Sequence, residues 1–151
     1  QTNVHARKVL GGANLLELRS LVRQVPVARS VQDFAVRILV GTHPDAEKAA
    51  KVLGQAGKPD KNDRNDLVRR FVRYGASPRG AQALLLGAKV LALLDGRFAV
   101  SCADVVKVAR PALRHRLILN FEGQAEGVST DDIVSAIIAR TPESLPGTAR
   151  S

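Results

Sequence analysis

The stretch Val72-Arg73-Tyr74-Gly75-Ala76-Ser77-Pro78-Arg79-Gly80-Ala81-Gln82-Ala83-Leu84 decides how the rest of the chain reads. Leu67, Phe71 and Tyr74 recur at helical spacing, so 67–74 predicts a short helix that Gly75 ends. Ser77 then stands at the cap of a second helix, where a hydroxyl can accept from a free backbone amide. Pro78 at the first position needs no N–H. That helix runs to about Leu94 and is apolar almost all round, which predicts the buried centre of a bundle. Arg79 is the anomaly. A cation in the first turn opposes the helix dipole by about 0.3–1 kcal/mol. The arrangement makes sense if an anion sits there, because free N–H groups and a guanidinium can both point at one phosphate. On the local pattern alone, a solvent-exposed arginine that tolerates a small cost is the simpler reading.

Upstream, Leu15, Leu18, Leu21, Val22 and Val25 give 14–25 a helical stripe, and Pro26 ends it. Ser30 with Asp33 forms a capping-box-like start for a helix over 30–40, with Val31, Phe34 and Ile38 inside and Gly41 and Pro44 as the stop. The segment 42–66 carries Pro44, Gly54, Gly57, Pro59 and many Lys and Asp. It reads as a loop or insertion, with a short helix over 45–53. Downstream, Asp95-Gly96 is a turn. Ser101 and Asp104 repeat the capping-box pattern ahead of Val105, Val106 and Val108. Pro111 breaks or kinks that helix, which continues over 114–120. Gly123 and Gly127 mark a loop, and Ser129 with Asp132 caps a last helix over 133–139. No long run alternates with period two; 97–101 is at most a short extended piece. The expectation is an all-α fold, a small helical bundle over 14–140. A connector from a missing neighbour occupies 1–13, and a flexible tail occupies 141–151.

Composition agrees with that class. Of 151 residues, 45% are hydrophobic and only 3% aromatic, so the core is built from Leu, Val, Ile and Ala. The net charge of +9 favours an anionic partner such as a nucleotide, nucleic acid or membrane surface. The single cysteine, Cys102, excludes an internal disulfide and fits a reducing compartment. It reads as a small buried apolar residue. The longest apolar stretch, 81–94, is interrupted by Gln82 and Lys89 and is too short to span a bilayer. No signal peptide is visible, and the expected location is the cytoplasm. The chain has no Met and opens on Gln1, so it reads as a piece of something longer.

Taken together, 72–84, Leu113-Arg114-His115-Arg116-Leu117 before Asn120, and Glu126-Gly127-Val128 before an acidic helix start resemble the helical lid of MoxR-type AAA+ ATPases. The segment 18–40 resembles the first lid helices. The likeness covers most of 10–140 in the family's order. It implies an AAA+ lid whose Arg79 is the sensor-two arginine, reaching the γ-phosphate of ATP bound by a separate core domain, with Ser77 and Pro78 fixing the helix start. It also implies ATP and Mg²⁺ in the full-length protein, neighbouring subunits in a ring, and a client protein to be remodelled. Arg114, His115 and Arg116 become interface candidates, although for His115 packing between helices is the simpler reading. Gly11 departs from relatives that carry a hydroxyl cap there, and 48–63 is longer and more polar than the usual connection.

The rest of an ATPase is missing. The string Gly54-Gln55-Ala56-Gly57-Lys58-Pro59 lacks the first glycine of a phosphate-binding loop at the right spacing and puts Pro where a hydroxyl should hold Mg²⁺. No hydrophobic strand ends in Asp-Glu. The parent protein is expected to hydrolyse ATP, and this stretch alone is not. His5 and His43 are isolated in loops, no metal-ligand spacing occurs, and no catalytic pair can be assembled. The alternative is a basic helical module that binds nucleic acid without nucleotide chemistry, through Arg69, Arg70, Arg73, Arg110, Arg114 and Arg116. The scarcity of aromatics for base stacking and the lack of a helix-turn-helix pattern count against it.

Overall fold

A computed structural model describes residues 9–45 and 67–144. The expected helix over 45–53, the phosphate-loop-like string and His5 lie outside or almost wholly outside that range. Helix α1 (Gly12–Gln24) is followed by α2 (Arg29–Gly41), α3 (Leu67–Phe71), strand β1 (Val72–Tyr74) and the long α4 (Pro78–Leu94). Then come α5 (Cys102–Leu113), strand β2 (Ile118–Leu119), α6 (Phe121–Ala125) and α7 (Thr130–Arg140). Among the described residues the fold is therefore a helical bundle with one two-stranded ribbon.

Helix α4 is the hub. It packs most extensively on α5 and also on α2 and α1. Its inner line is Gly80, Leu84, Ala88 and Ala92, at i, i+4 spacing, and small residues on that line let neighbouring helices approach. Around it close Phe34 and Ile38 of α2, Val105 and Leu113 of α5, and Ile133 and Ile137 of α7, all fully buried. Val31, Phe34 and Ile38 are buried as their spacing predicts.

Four local expectations are corrected. The 67–74 helix stops at Phe71, and Val72–Tyr74 becomes a strand paired antiparallel with Ile118–Leu119, with Val72 opposite Leu119 and Tyr74 opposite Ile118. Tyr74, which the helical stripe would place inside, is exposed, and the pairing with 118–119 takes Val72–Tyr74 out of the helix. The helix expected over 114–120 does not form. Pro111, which lacks an N–H, sits in the last turn of α5, and the chain leaves it through the bond from Arg116 N to the Leu113 carbonyl, 2.8 Å, into β2. Around Gly123 the chain is not a loop but the short helix α6, capped by Asn120, whose side chain accepts from Gly123 N at 2.8 Å. The Ser30–Asp33 capping box is absent. Helix α2 starts one residue earlier, from Ala28, and Asp33 instead accepts from Arg29 at 3.1 Å.

Helix α1 forms where its periodicity predicts but does not enter the core. Its N-cap is Gly11 and it has no buried residue; Leu15, Leu18 and Leu21 are 54%, 47% and 46% exposed. Only Val25, just past its end, is buried. At the other end of the chain, the start of the expected tail is tied down, since Arg37 donates to the carbonyls of Pro142 and Glu143.

The turn between α4 and α5 is held by one buried carboxylate. Gly96 takes φ +69°, as the Asp95-Gly96 turn predicts. Arg97 then reaches both oxygens of Asp104 at 2.8 and 2.6 Å, and Asp104 also closes the predicted capping box with Ser101. Asp104 is 1% exposed. The Arg97 guanidinium holds its carboxyl well below the usual carboxylate range, with help from Ser101 and against desolvation. A depressed folded-state pKa contributes stability above the unfolded value, near 4, and loses it as the pH falls below that value. Asp104→Asn is expected to lower unfolding free energy by about 1–3 kcal/mol at pH 7. Urea denaturation should show the gap to the unaltered chain narrowing as the pH is lowered from about 5 toward 2.

Candidate functional site

The site is the turn 75–80 that delivers β1 into α4. Its main chain is gripped from the C-terminal end of α2. Thr42, fully buried, donates its hydroxyl to the Leu39 carbonyl at 2.6 Å and accepts from the Ala76 amide at 2.9 Å. His43 donates from Nε2 to the Ala76 carbonyl at 3.0 Å. Ala76 is itself fully buried, so both of its main-chain polar groups are satisfied by the side chains of two consecutive residues. The backbones approach so closely that a Cβ on Gly75 would stand 2.7 Å from the Thr42 carbonyl oxygen and 2.8 Å from His43 Cγ. Gly80 performs the same service one turn later, where a Cβ would meet Leu39 Cδ1 at 2.9 Å. Glycine is therefore a packing requirement at 75, where main chain stands in the way, while at 80 the nearest atom is the end of a leucine side chain.

From this anchored turn Arg79 emerges at the second position of α4. It is exposed, and nothing among the described residues binds its guanidinium. Pro78 occupies the first helical position as expected. Ser77 stands at the N-cap with extended backbone (φ −69°, ψ 169°), but its side chain makes no capping bond, which corrects the expected role. Only its carbonyl engages the helix start, accepting from Gly80 N at 2.7 Å. The exposed Ser77 hydroxyl and the Arg79 guanidinium thus stand two positions apart with no intramolecular bond to either side chain.

The arginines of the supposed basic face behave differently. Arg70 bonds Glu122 and Glu126, both at 2.7 Å, and lies over the Phe71 ring, tying α3 to α6. Arg110 donates to Ser135 Oγ at 2.9 Å, and Arg114 pairs with Asp131 at 3.0 Å, which joins α5 to α7. Arg73 lies over Tyr74. Arg69 also has a partner. Of the six arginines that the sequence groups together, Arg70 and Arg114 are thus engaged by carboxylates within the fold. His115 is exposed rather than packed between helices, and its Nε2 meets Arg116 Nη1. The interface candidates Arg114, His115 and Arg116 fall in one turn at the end of α5, and none of them bonds to the Ala76 turn. Cys102 is half-buried against the core, and burial pushes its thiol up.

Among the described residues no group of three or more His, Cys, Asp or Glu could hold a metal. No described helix is long and apolar enough to cross a membrane. The arrangement can offer a cation and a hydroxyl to an anion at the start of a buttressed helix. It cannot hold Mg²⁺.

Thr42 and His43 were missed by sequence reasoning. Thr42 ends α2 and His43 looked isolated in a loop. Their partner lies more than thirty positions away, and no local pattern announces a tertiary bond to a main chain.

Residues 64–137 match the AAA lid domain family. The chain is similar to Chaperone MoxR1 of Mycobacterium tuberculosis, 29% identical over 91% of this chain and 32% of that protein. It is also similar to Protein MoxR of Paracoccus denitrificans, 37% identical over 48% of this chain and 22% of that protein. A solved ATPase candidate from Cytophaga hutchinsonii superposes with a TM-score of 0.69 and 28% identity, over 86% of this chain and 35% of that one. The chain belongs to the MoxR family of AAA+ ATPases as its helical lid. It spans about a third or less of the length of the relatives it matches.

Gly75→Ala is expected to lower stability by about 1–3 kcal/mol, because the added methyl must displace main chain. Gly12→Ala, where a Cβ would meet nothing within 4 Å, should leave the chain equally or more stable, by up to about 1 kcal/mol. Thermal melts should show a lowered midpoint for Gly75→Ala and no lowering for Gly12→Ala.

Proposed function

We propose that this lid senses ATP for a separate nucleotide-binding core, with Arg79 as the sensor-two arginine that contacts the γ-phosphate. The observation that carries the reading is the state of Arg79. It is exposed, opposes the dipole of its own helix, and has no partner among the described residues, although the turn that bears it is held on both sides. Many other arginines in the lid are paired. A cation left unpaired at a helix start is best matched by an anion supplied from outside, and a phosphate oxygen accepts from a guanidinium in a fixed fork. Ser77, whose hydroxyl is not used as a cap, is available to the same anion.

Under this reading the core domain supplies the phosphate loop and the groups that hold Mg²⁺, since no such set occurs among the described residues. Phosphoryl transfer to water needs positioned phosphates, metal and an oriented nucleophile. The lid adds charge at the terminal phosphate and changes position with nucleotide state. The exposed leucines of α1 support a face that another domain covers, because a contiguous apolar patch on a small bundle is otherwise a liability. Arg114, His115 and Arg116 form a second, polar candidate surface, facing a neighbouring subunit of a ring. The whole protein then couples hydrolysis to remodelling of a client in the cytoplasm, as the name of the relative Chaperone MoxR1 suggests for that protein.

Arg79→Ala in the full-length protein is expected to cut ATP turnover at least about tenfold, equivalent to roughly 1.4 kcal/mol. It should also erode the preference for ATP over ADP while leaving ADP affinity nearly unchanged. Steady-state hydrolysis and equilibrium nucleotide titration check this. Unaltered turnover and unaltered ATP preference would remove the assignment.

A further inference from the structure

We propose that Thr42 and His43 are positioning residues for Arg79, so that the C-terminal end of α2 sets where the arginine stands. The inference rests on the reading of Arg79 as a γ-phosphate contact and goes beyond it by naming the residues that act through it. The grip is made by side chains on main chain. Thr42 Oγ1 accepts from the Ala76 amide at 2.9 Å, and His43 Nε2 donates to the Ala76 carbonyl at 3.0 Å. Thr42 is in turn anchored to the end of its own helix through its bond to the Leu39 carbonyl at 2.6 Å. Ala76 precedes Arg79 by three positions, and the intervening Ser77 and Pro78 have little freedom. Pro78 has a fixed φ, and the Ser77 carbonyl is bonded to Gly80 N. A shift of the end of α2 therefore reaches Arg79 through a short chain with few soft torsions.

The contacts around this chain leave little room for slack. Gly75 lies against the Thr42 main chain, and Gly80 lies against Leu39 of α2 and Leu113 of α5. Rotating the start of α4 without moving α2 would break two hydrogen bonds to a fully buried residue, leaving the amide and the carbonyl of Ala76 unsatisfied. The start of α4 and the end of α2 behave as one body. A cation at a helix start needs such a body, because its long side chain gains specificity only if its base is fixed.

A purely structural grip would lower stability and weaken both nucleotides alike. A positioning grip lowers ATP preference specifically. The test uses the full-length protein with Thr42→Val and His43→Phe, which keep size but remove the hydroxyl or the N–H, and with Thr42→Ser and His43→Gln, which restore a donor or acceptor. Affinities for ATP and ADP are measured by equilibrium titration with Mg²⁺, alongside the melting temperature. Thr42→Val and His43→Phe are expected to reduce the ATP-over-ADP preference about three- to tenfold, and Thr42→Ser and His43→Gln to recover it to within about twofold. In a double-mutant cycle, His43→Phe added to Arg79→Ala should cause no further loss of preference. Should Thr42→Val fail to fold, the half-buried His43 pair carries the test. If Arg79→Ala lowers the preference but the His43 and Thr42 variants do not, or their losses add to it, the positioning role is wrong and the Arg79 reading stands. If Arg79→Ala itself changes nothing, both fall.

Discussion

The constraint on which the site depends is the burial of Ala76. A residue taken wholly out of water between a strand and a helix must find partners for its N–H and its C=O, and neither strand nor helix supplies them. Thr42 and His43 supply both. That requirement brings the end of α2 against Gly75, excludes a side chain there, and fixes the direction in which α4 leaves the turn. Arg79 and the packing of α4 on α5 follow from that direction. The part of the lid that meets solvent, and under the proposed function a phosphate, is thus held by the part most removed from it.

Charge in this lid divides into two kinds. Arg97 with Asp104, Arg70 with Glu122 and Glu126, and Arg114 with Asp131 join elements that are distant in sequence or close a turn. Of these, the pair on the buried Asp104 contributes most, because exposed pairs are screened and worth little. Arg79 belongs to the other kind and is left without an internal counterion. A net charge of +9 says nothing about which arginines are which, and two arginines of the basic face inferred from sequence, Arg70 and Arg114, turn out to pair with carboxylates.

The fold class was legible because aliphatic residues at helical spacing dominate the chain and aromatic residues are scarce. Val31, Phe34 and Ile38 could be placed inside from spacing alone, and Ser101 with Asp104 marked a helix start that the structure reproduces. The ribbon was not legible. Strands of three and two residues are too short to show a period, and Leu67, Phe71 and Tyr74 mimic a helical stripe. Tertiary pairing with Leu119 overrode that local signal. Helix α1 shows the converse: its pattern gave the helix correctly, but periodicity marks an apolar face without saying whether this bundle covers it.

By itself the sequence determined the longer helices, some of their ends and the position of Arg79 in the first turn of one of them. These are local matters of propensity, capping and proline geometry, readable within a few residues. Only the tertiary structure decided that Ser77 is not the cap it resembles, that Arg79 is unpaired while many of its neighbours are not, and that Thr42 and His43 hold the turn that carries it. Those facts depend on which distant groups meet in a buried place, where every amide and carbonyl must be matched, and no short window of sequence contains both halves of such a bond.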